Sequence, residues 1–421
     1  MVGLGAYVAT GKVDANHASN SGQYKFFTCA LEPLKSDTYL FEGDLIILPG
    51  NGANVGHVNF YSGRIEAYQR TYVLYNISIE PKYLFFHLKL FWKQETTDKQ
   101  YGSATNYIKM GNFTDYKLPL PPLAEQQQIA VKLDELLAQV DNLKTRLDNI
   151  PKILKRFRQS VLAAAISGKL TENWRQSEEL VGWEENLLGN WVKKPNYGTS
   201  SKSQQEGKIP VLRMGNIQNG KLDWSNLVYT SDEDEIRKYR LYSGDVLFNR
   251  TNSPELVGKT SIYRGEQEAI YAGYLIRIQC KDNLNSEFLN IHLNGPSARE
   301  YCRAVKSDGV SQSNINAQKL VAYPINCPPI QEQTEIVARV EQLFVYADQI
   351  EQRVKDAQAR VNHLTQAILA KAFRGELTAD WRTQNPDLIS GDNSAEALLA
   401  KIKAERETVA TNKKSTRKIK T

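Results

Sequence analysis

Residues 121–175 recur without insertion or deletion as residues 328–382, and a chain that writes one long segment twice builds the same element twice. Both copies open on Pro-Pro and a Glu-Gln pair: Pro121, Pro122, Glu125 and Gln126, then Pro328, Pro329, Glu332 and Gln333. Both close on Gly-x-Leu-Thr-x-x-Trp-Arg, at 168–175 and 375–382. Between these ends the apolar residues step alternately by three and four. They are Leu133, Leu136, Val140, Leu143, Leu147, Ile150, Leu154, Phe157 and Val161 in the first copy. Val340, Leu343, Ala347, Ile350, Val354, Ala357, Val361, Leu364 and Ile368 match them in the second. This spacing places one narrow seam along a helix, which only a facing helix can cover.

The simplest cover for each copy is the other one, so the repeat predicts two long helices of about 40 residues packed antiparallel as a coiled coil, each roughly 60 Å long. Pro151 lacks an N–H and its ring crowds the preceding turn, so a kink is expected there and none at its counterpart Gln358.

The 421 residues leave room for two or three domains. Mean hydropathy is −0.48, no apolar run is long enough to span a bilayer, and residues 1–20 lack a basic start followed by an apolar stretch. A cytoplasmic protein without a membrane partner is expected. Cys29, Cys280, Cys302 and Cys327 form no C-x-x-C pair and the five histidines are scattered, so no metal site is expected. The net charge of +6 is spread along the chain, and any nucleic-acid contact must come from local patches.

Residues 1–117 read as a strand-rich unit, with β-prone runs at 24–30, 45–48 and 72–79, a strong turn at 49–54 and a short helix at 81–92. Residues 183–327 repeat the plan more loosely: Leu188-Gly189 echoes Leu4-Gly5, and Gly244-Asp245 echoes Gly43-Asp44. The predicted fold is therefore α+β, two strand-rich units separated by two long antiparallel helices, with an internal pseudo-twofold repeat. The boundaries are 1–117 for the first unit, 118–175 for the first long helix, 176–327 for the second unit and 328–382 for the second helix. Residues 383–421 form a C-terminal helical segment and a basic tail, read as a solvated, disordered end or as a further DNA contact.

A gapless helical repeat joining two dissimilar strand-rich units resembles the specificity subunit of type I restriction-modification systems. The strings LPPLAEQ, PKILKRFRQSVL, GKLTENWR, ILAKAFRGELTADWR and NPDLISGDNSAEALLAKIKAERE resemble its type IA branch. The resemblance implies that each strand-rich unit is a target recognition domain reading half of a split double-stranded DNA target. It implies that the helices act as a spacer between the halves and as a dock for two modification subunits. Those partners would carry S-adenosylmethionine and methylate adenine, restriction/translocase subunits would cleave, and this chain would bind no cofactor and catalyse nothing. The rival is a coiled-coil adaptor whose strand-rich units bind protein or glycan.

The residues agree with a non-catalytic role. The strings nearest to a methyltransferase loop and a cofactor turn are Pro195-Asn196-Tyr197 and Gly3-Leu4-Gly5, both of the wrong pattern. Asp115-Tyr116-Lys117 lacks the preceding acid of a nuclease set, and no P-loop or H-E-x-x-H occurs.

Reading DNA requires Arg or Lys for guanine, Asn or Gln for adenine, and small polar groups for phosphate, carried on loops. In the second unit the densest such stretch is Asn249, Arg250, Thr251 and Asn252, followed by Lys259; Lys202, Arg213, Asn216 and Gln312 rank after it. In the first unit the candidates are Lys12, Asn16, Asn51, Asn54, His57, Gln69, Arg70, Ser103 and Asn106. The same residue types also serve ordinary turns. Trp174 and Trp381 either anchor each helix end to a neighbouring domain or meet the modification subunits, and the two readings stay open.

Overall fold

The computed structural model describes residues 5–97, 106–218, 220–310 and 312–418. They divide into two compact units, 1–147 with 356–421, and 148–355. Both long helices form, Leu123–Ile166 and Ile330–Phe373, of 44 residues each. The first is unbroken at Pro151. Each unit therefore contains half of one long helix and the opposite half of the other.

Within each unit the two halves run antiparallel. In the second unit Arg158 binds Asp348 at 2.7 Å and Glu351 at 3.0 Å, whereas Thr171, further along the first helix, meets Glu332, further back on the second. In the first unit Leu133 and Leu137 share a buried cluster with Leu369 and Ala372, and Lys132 Nζ donates to the Leu377 carbonyl at 3.1 Å. The seam is buried at Leu133, Val140, Leu154 and Val161, and at Val340, Ala347 and Val354. Two expected seam positions differ: Leu143 is 45% and Leu364 41% exposed. Both lie among buried or half-buried seam positions, so the seam is covered discontinuously along each helix.

The first strand-rich unit is a six-stranded sheet in the order β1-β6-β4-β5-β2-β3. The strands are β1 Tyr7–Thr10, β2 Tyr24–Phe27, β3 Leu34–Ser36, β4 Phe41–Pro49, β5 Asn59–Ala67 and β6 Thr71–Tyr75. All neighbours are antiparallel except β2 and β5. The run 45–48 in β4 is buried on both faces, with Leu45 and Ile47 in one apolar cluster and Ile46 and Leu48 in another, as a central strand requires.

Three residues, 68–70, carry the chain from β5, whose end lies beyond Phe41, to β6, whose start faces Pro49. So short a link works only because the sheet curls. Gly43 and Gly63 face each other in the β4–β5 ribbon with φ of 108° and 135°, values open to glycine.

Helix Pro81–Thr97 bridges this sheet and the long helices: Leu84, Leu88 and Trp92 face the sheet core, and Tyr83 and Phe86 pack with Ile129, Leu133 and Leu369. The C-terminal helix, Ala395–Lys418, continues into the segment expected to be disordered, and its Ile402 is buried in the sheet core.

The second strand-rich unit is divided into smaller sheets. Val246–Asn249 pairs with Thr260–Ile262 and Leu275–Ile278, which pairs in turn with Asn196–Tyr197. Helices Ser286–Asn294 and Pro296–Val305 cover these strands, and one core joins them to Val161, Leu162, Ala165, Ile336 and Val340 of the long helices. No helix among the described residues is long and apolar enough to cross a membrane.

Candidate nucleic-acid interface

The repeated ends of the long helices hold each strand-rich unit in place. In the second unit Glu332 is buried and accepts from Thr171 Oγ1 at 2.6 Å, from the Arg175 guanidinium and from Trp183 Nε1 at 3.0 Å. In the first, Glu125 accepts from Thr378 Oγ1 at 2.6 Å and Arg382 Nη1 at 2.5 Å. The next residue clasps the strand-rich unit. Gln126 accepts from the backbone N–H of Glu80 and donates to the Pro121 carbonyl; Gln333 accepts from Asn285 N–H and donates to the Pro328 carbonyl. Glu80 and Asn285 immediately precede the helices beginning at Pro81 and Ser286. The Glu-Gln and Thr-x-x-x-Arg elements of the repeat are thus two halves of one lock, written twice.

On these mounts, loops of the first unit come together where the sheet curls. The Gly11 N–H donates to the Thr71 carbonyl at 3.2 Å, Gly50 N–H to Arg70 at 2.9 Å, and Gln69 N–H to Val13 at 2.9 Å. Only glycine fits at 11, since a Cβ would lie 1.7 Å from the Ala67 carbonyl oxygen. Ile108 N–H donates to Gly50 and Gly52 N–H to the Asn106 carbonyl. Lys12, Asn16, Gln69, Arg70 and Asn106 are exposed around this point. Asn51, Gln69 and Arg70 line a cleft of 320 Å³ with Tyr72 and Tyr107, aromatics that the sequence did not single out. Asn54 turns away, its amide donating to the Cys29 carbonyl at 2.9 Å, and the exposed His57 bonds Asn59. Ser103 lies outside the described residues.

In the second unit a polar ribbon follows the core strand. Thr251–Asn252 pairs with Ser313–Asn314, which pairs with Ser307–Asp308. Arg250 sits at its root, with its guanidinium 4.7 Å over the ring of Tyr197. Gln312 and Lys202 are exposed. Two expected contacts are not on the surface. Asn249 is fully buried, both amide atoms without a protein partner, because it is the last residue of the core strand. Asn216 is buried too: its side chain accepts from Arg213 N–H and donates to the carbonyls of Asp223 and Asn226, closing a turn. Polar residue type alone cannot separate a turn brace from a reader.

The candidate cations are set apart by their partners. Arg213, Arg250 and Lys259 are half-buried yet bond only neutral acceptors: the carbonyls of Asn226, Gly273 and Ile217, and the Gln218 amide. Among the described residues none of the three has a carboxylate within ion-pair distance. Elsewhere in this domain Arg240, Arg264 and Arg277 are paired with Glu268, Glu287 and Asp245. Partly buried cations without counter-ions leave a positive surface suited to an anionic partner.

Asp245, in the repeated Gly-Asp, is buried and holds a turn by accepting from Tyr242 N–H and Gln279 Nε2. Burial raises its carboxyl above the ordinary range, against the pull of these bonds and of Arg277. Trp174 is 44% exposed, and the lock's indole comes instead from Trp183, outside the repeat. Among the described residues no group of three or more His, Cys, Asp or Glu is placed to hold a metal.

The sequence profile described as Type I restriction modification DNA specificity domain matches residues 6–152 and 181–357. The chain is similar to the type I restriction enzyme EcoDI specificity subunit of Escherichia coli, 39% identical and covering 98% of this chain and 95% of the relative. It is 45% identical to the EcoKI specificity subunit of Escherichia coli strain K12 over 75% of this chain and 69% of that one. The fold is shared with the HsdS subunit of Thermoanaerobacter tengcongensis (TM-score 0.57, 18% identity, 88% and 97% covered). It is shared likewise with a chain from a type I restriction-modification assembly (TM-score 0.61, 17% identity, 89% and 97% covered).

Proposed function

Because this chain belongs to the type I restriction-modification DNA specificity family, we propose that its two recognition domains each read one half of a split double-stranded DNA target. The paired helices set the distance between the halves, and two modification subunits dock on them. Those subunits carry S-adenosylmethionine and methylate adenine, and restriction/translocase subunits join the complex to cleave. The specificity subunit itself binds no cofactor, performs no chemistry and works in the cytoplasm.

One observation carries the reading: two different loop surfaces stand on two locks built from the same Glu, Thr and Arg within a single chain. One chain with two unlike readers can recognise an asymmetric site, which a symmetric dimer cannot. The counter-ion-free cations of the second domain support contact with a polyanion.

The test is nuclease protection of duplex DNA by the chain assembled with its modification subunits. Two protected blocks separated by an unspecified gap are expected, with affinity falling steeply as salt rises. Binding indifferent to sequence and salt would instead favour an adaptor.

A further inference from the structure

Arg250 differs from Arg240, Arg264 and Arg277 of its domain in being held by a ring and a carbonyl with no carboxylate on its fork. Its backbone is held from both sides, N–H to the Tyr274 carbonyl at 3.0 Å and C=O from Ile315 N–H at 2.9 Å. Its guanidinium lies 4.7 Å over the Tyr197 ring, and Nη1 donates to the Gly273 carbonyl at 3.4 Å. Tyr197 is itself pinned, paired in register with Ile276 and accepting from Ala317 N–H at 2.9 Å. Yet Tyr197 is 41% exposed and the neighbouring Tyr274 50%, so this stack stands at the surface. Nε is buried without a protein acceptor, which leaves the Nη end of the fork for a ligand.

We propose that Arg250, stacked on Tyr197, is a guanine-reading site that sets one position of the half-target bound by the second recognition domain. This rests on the reading that the domain binds DNA. Guanine presents O6 and N7 side by side in the major groove, two coplanar acceptors that match the fork of a guanidinium. A phosphate can be approached from many directions, so fixing the cation's plane gains little there. Against a base edge, the same fixation removes the entropy cost of aligning two hydrogen bonds at once. The adjoining strands supply only polar side chains, with Asn314 Nδ2 donating to Thr251 Oγ1 at 2.7 Å. Tyr197 acts through Arg250 and is a positioning residue.

The experiment compares wild-type and Arg250→Gln chains, each assembled with modification subunits, by methylation sequencing of genomic DNA and by competition with duplexes altered one base pair at a time. Wild type is expected to require a G·C pair at one position of the second domain's half-site. Arg250→Gln loses about 10- to 100-fold discrimination at that pair alone, leaves the other half-site unchanged and melts within a few degrees of wild type. Arg250→Lys keeps the salt dependence but not the full guanine preference. Tyr197→Leu weakens the same pair and serves if Arg250→Gln does not fold. A uniform loss of affinity with base preferences intact would assign Arg250 to a phosphate and overturn the proposal, as would unchanged discrimination in both variants. Absence of any base preference in wild type would overturn the DNA-reading function as well, which separates the two failures.

Discussion

At the foot of the first recognition domain Glu125 meets Thr378 and Arg382; at the foot of the second Glu332 meets Thr171 and Arg175. The loops those feet carry share almost nothing. The first domain gathers Asn51, Gln69 and Arg70 around a cleft with Tyr72 and Tyr107, whereas the second presents Arg250 on Tyr197 beside a polar ribbon. A carboxylate that must satisfy a hydroxyl and a guanidinium in one buried place cannot change without its partners, so the repeat is preserved there. A loop held only by its backbone can exchange side chains freely, and the readers diverge.

The two locks also differ, and the difference can be broken experimentally. The Arg175 and Glu332 side chains are 6% and 2% exposed and Trp183 closes their site, while Arg382 is 35% exposed. Glu332→Ala strands a buried guanidinium and should cost about 3–5 kcal/mol. Glu125→Ala should cost less, about 1–3 kcal/mol, because water reaches Arg382. Urea unfolding of both variants measures this, and equal losses would show that the extra burial contributes nothing.

A second comparison concerns a feature the units share. His87 Nδ1 lies 2.8 Å from Tyr116 Oη, and His292 Nδ1 lies 3.1 Å from Tyr323 Oη. Burial lowers both imidazoles to about 4, from an ordinary value near 6.5. Between those values the unfolded chain binds more protons than the folded one. Stability is therefore full above about pH 6.5 and is lost progressively toward pH 4, by about 3 kcal/mol per histidine. Replacing both with Asn should flatten the slope of unfolding free energy against pH over that window. An unchanged slope would mean that carboxylates alone drive it.

Two positions of the helical seam contrast, and the smallest effect is expected at the half-exposed Leu143. Leu133→Ala removes a fully buried side chain and should cost about 2–5 kcal/mol. Leu143→Ala, at a half-exposed seam position, should cost about 1 kcal/mol or less. Thermal melting distinguishes them, and similar losses would show that Leu143 is covered in solution.

Much of this was legible beforehand because it is periodic. The 3,4 spacing from Leu133 to Val161 needed no structure to announce a helix with one buried stripe. The fixed offset of Glu125 and Glu332, and of Arg175 and Arg382, also marked residues with a common task, although the chemistry of that task stayed hidden. Only folding shows that Glu332 faces Arg175 rather than Arg382, since the halves of each lock lie far apart in sequence.

Candidate DNA contacts were chosen by residue type, and folding puts residues of one type in unlike places for a physical reason. The same amide braces a turn at Asn216, ends a core strand at Asn249 and stands in the polar ribbon at Asn252. The sequence by itself determined the duplicated helices, their seam and the division into two unlike units, because those follow from local spacing repeated over many residues. Tertiary structure alone decided which cations lack counter-ions, which aromatic lies under Arg250 and which half of each lock meets which. These depend on contacts between distant segments, and no local pattern encodes them.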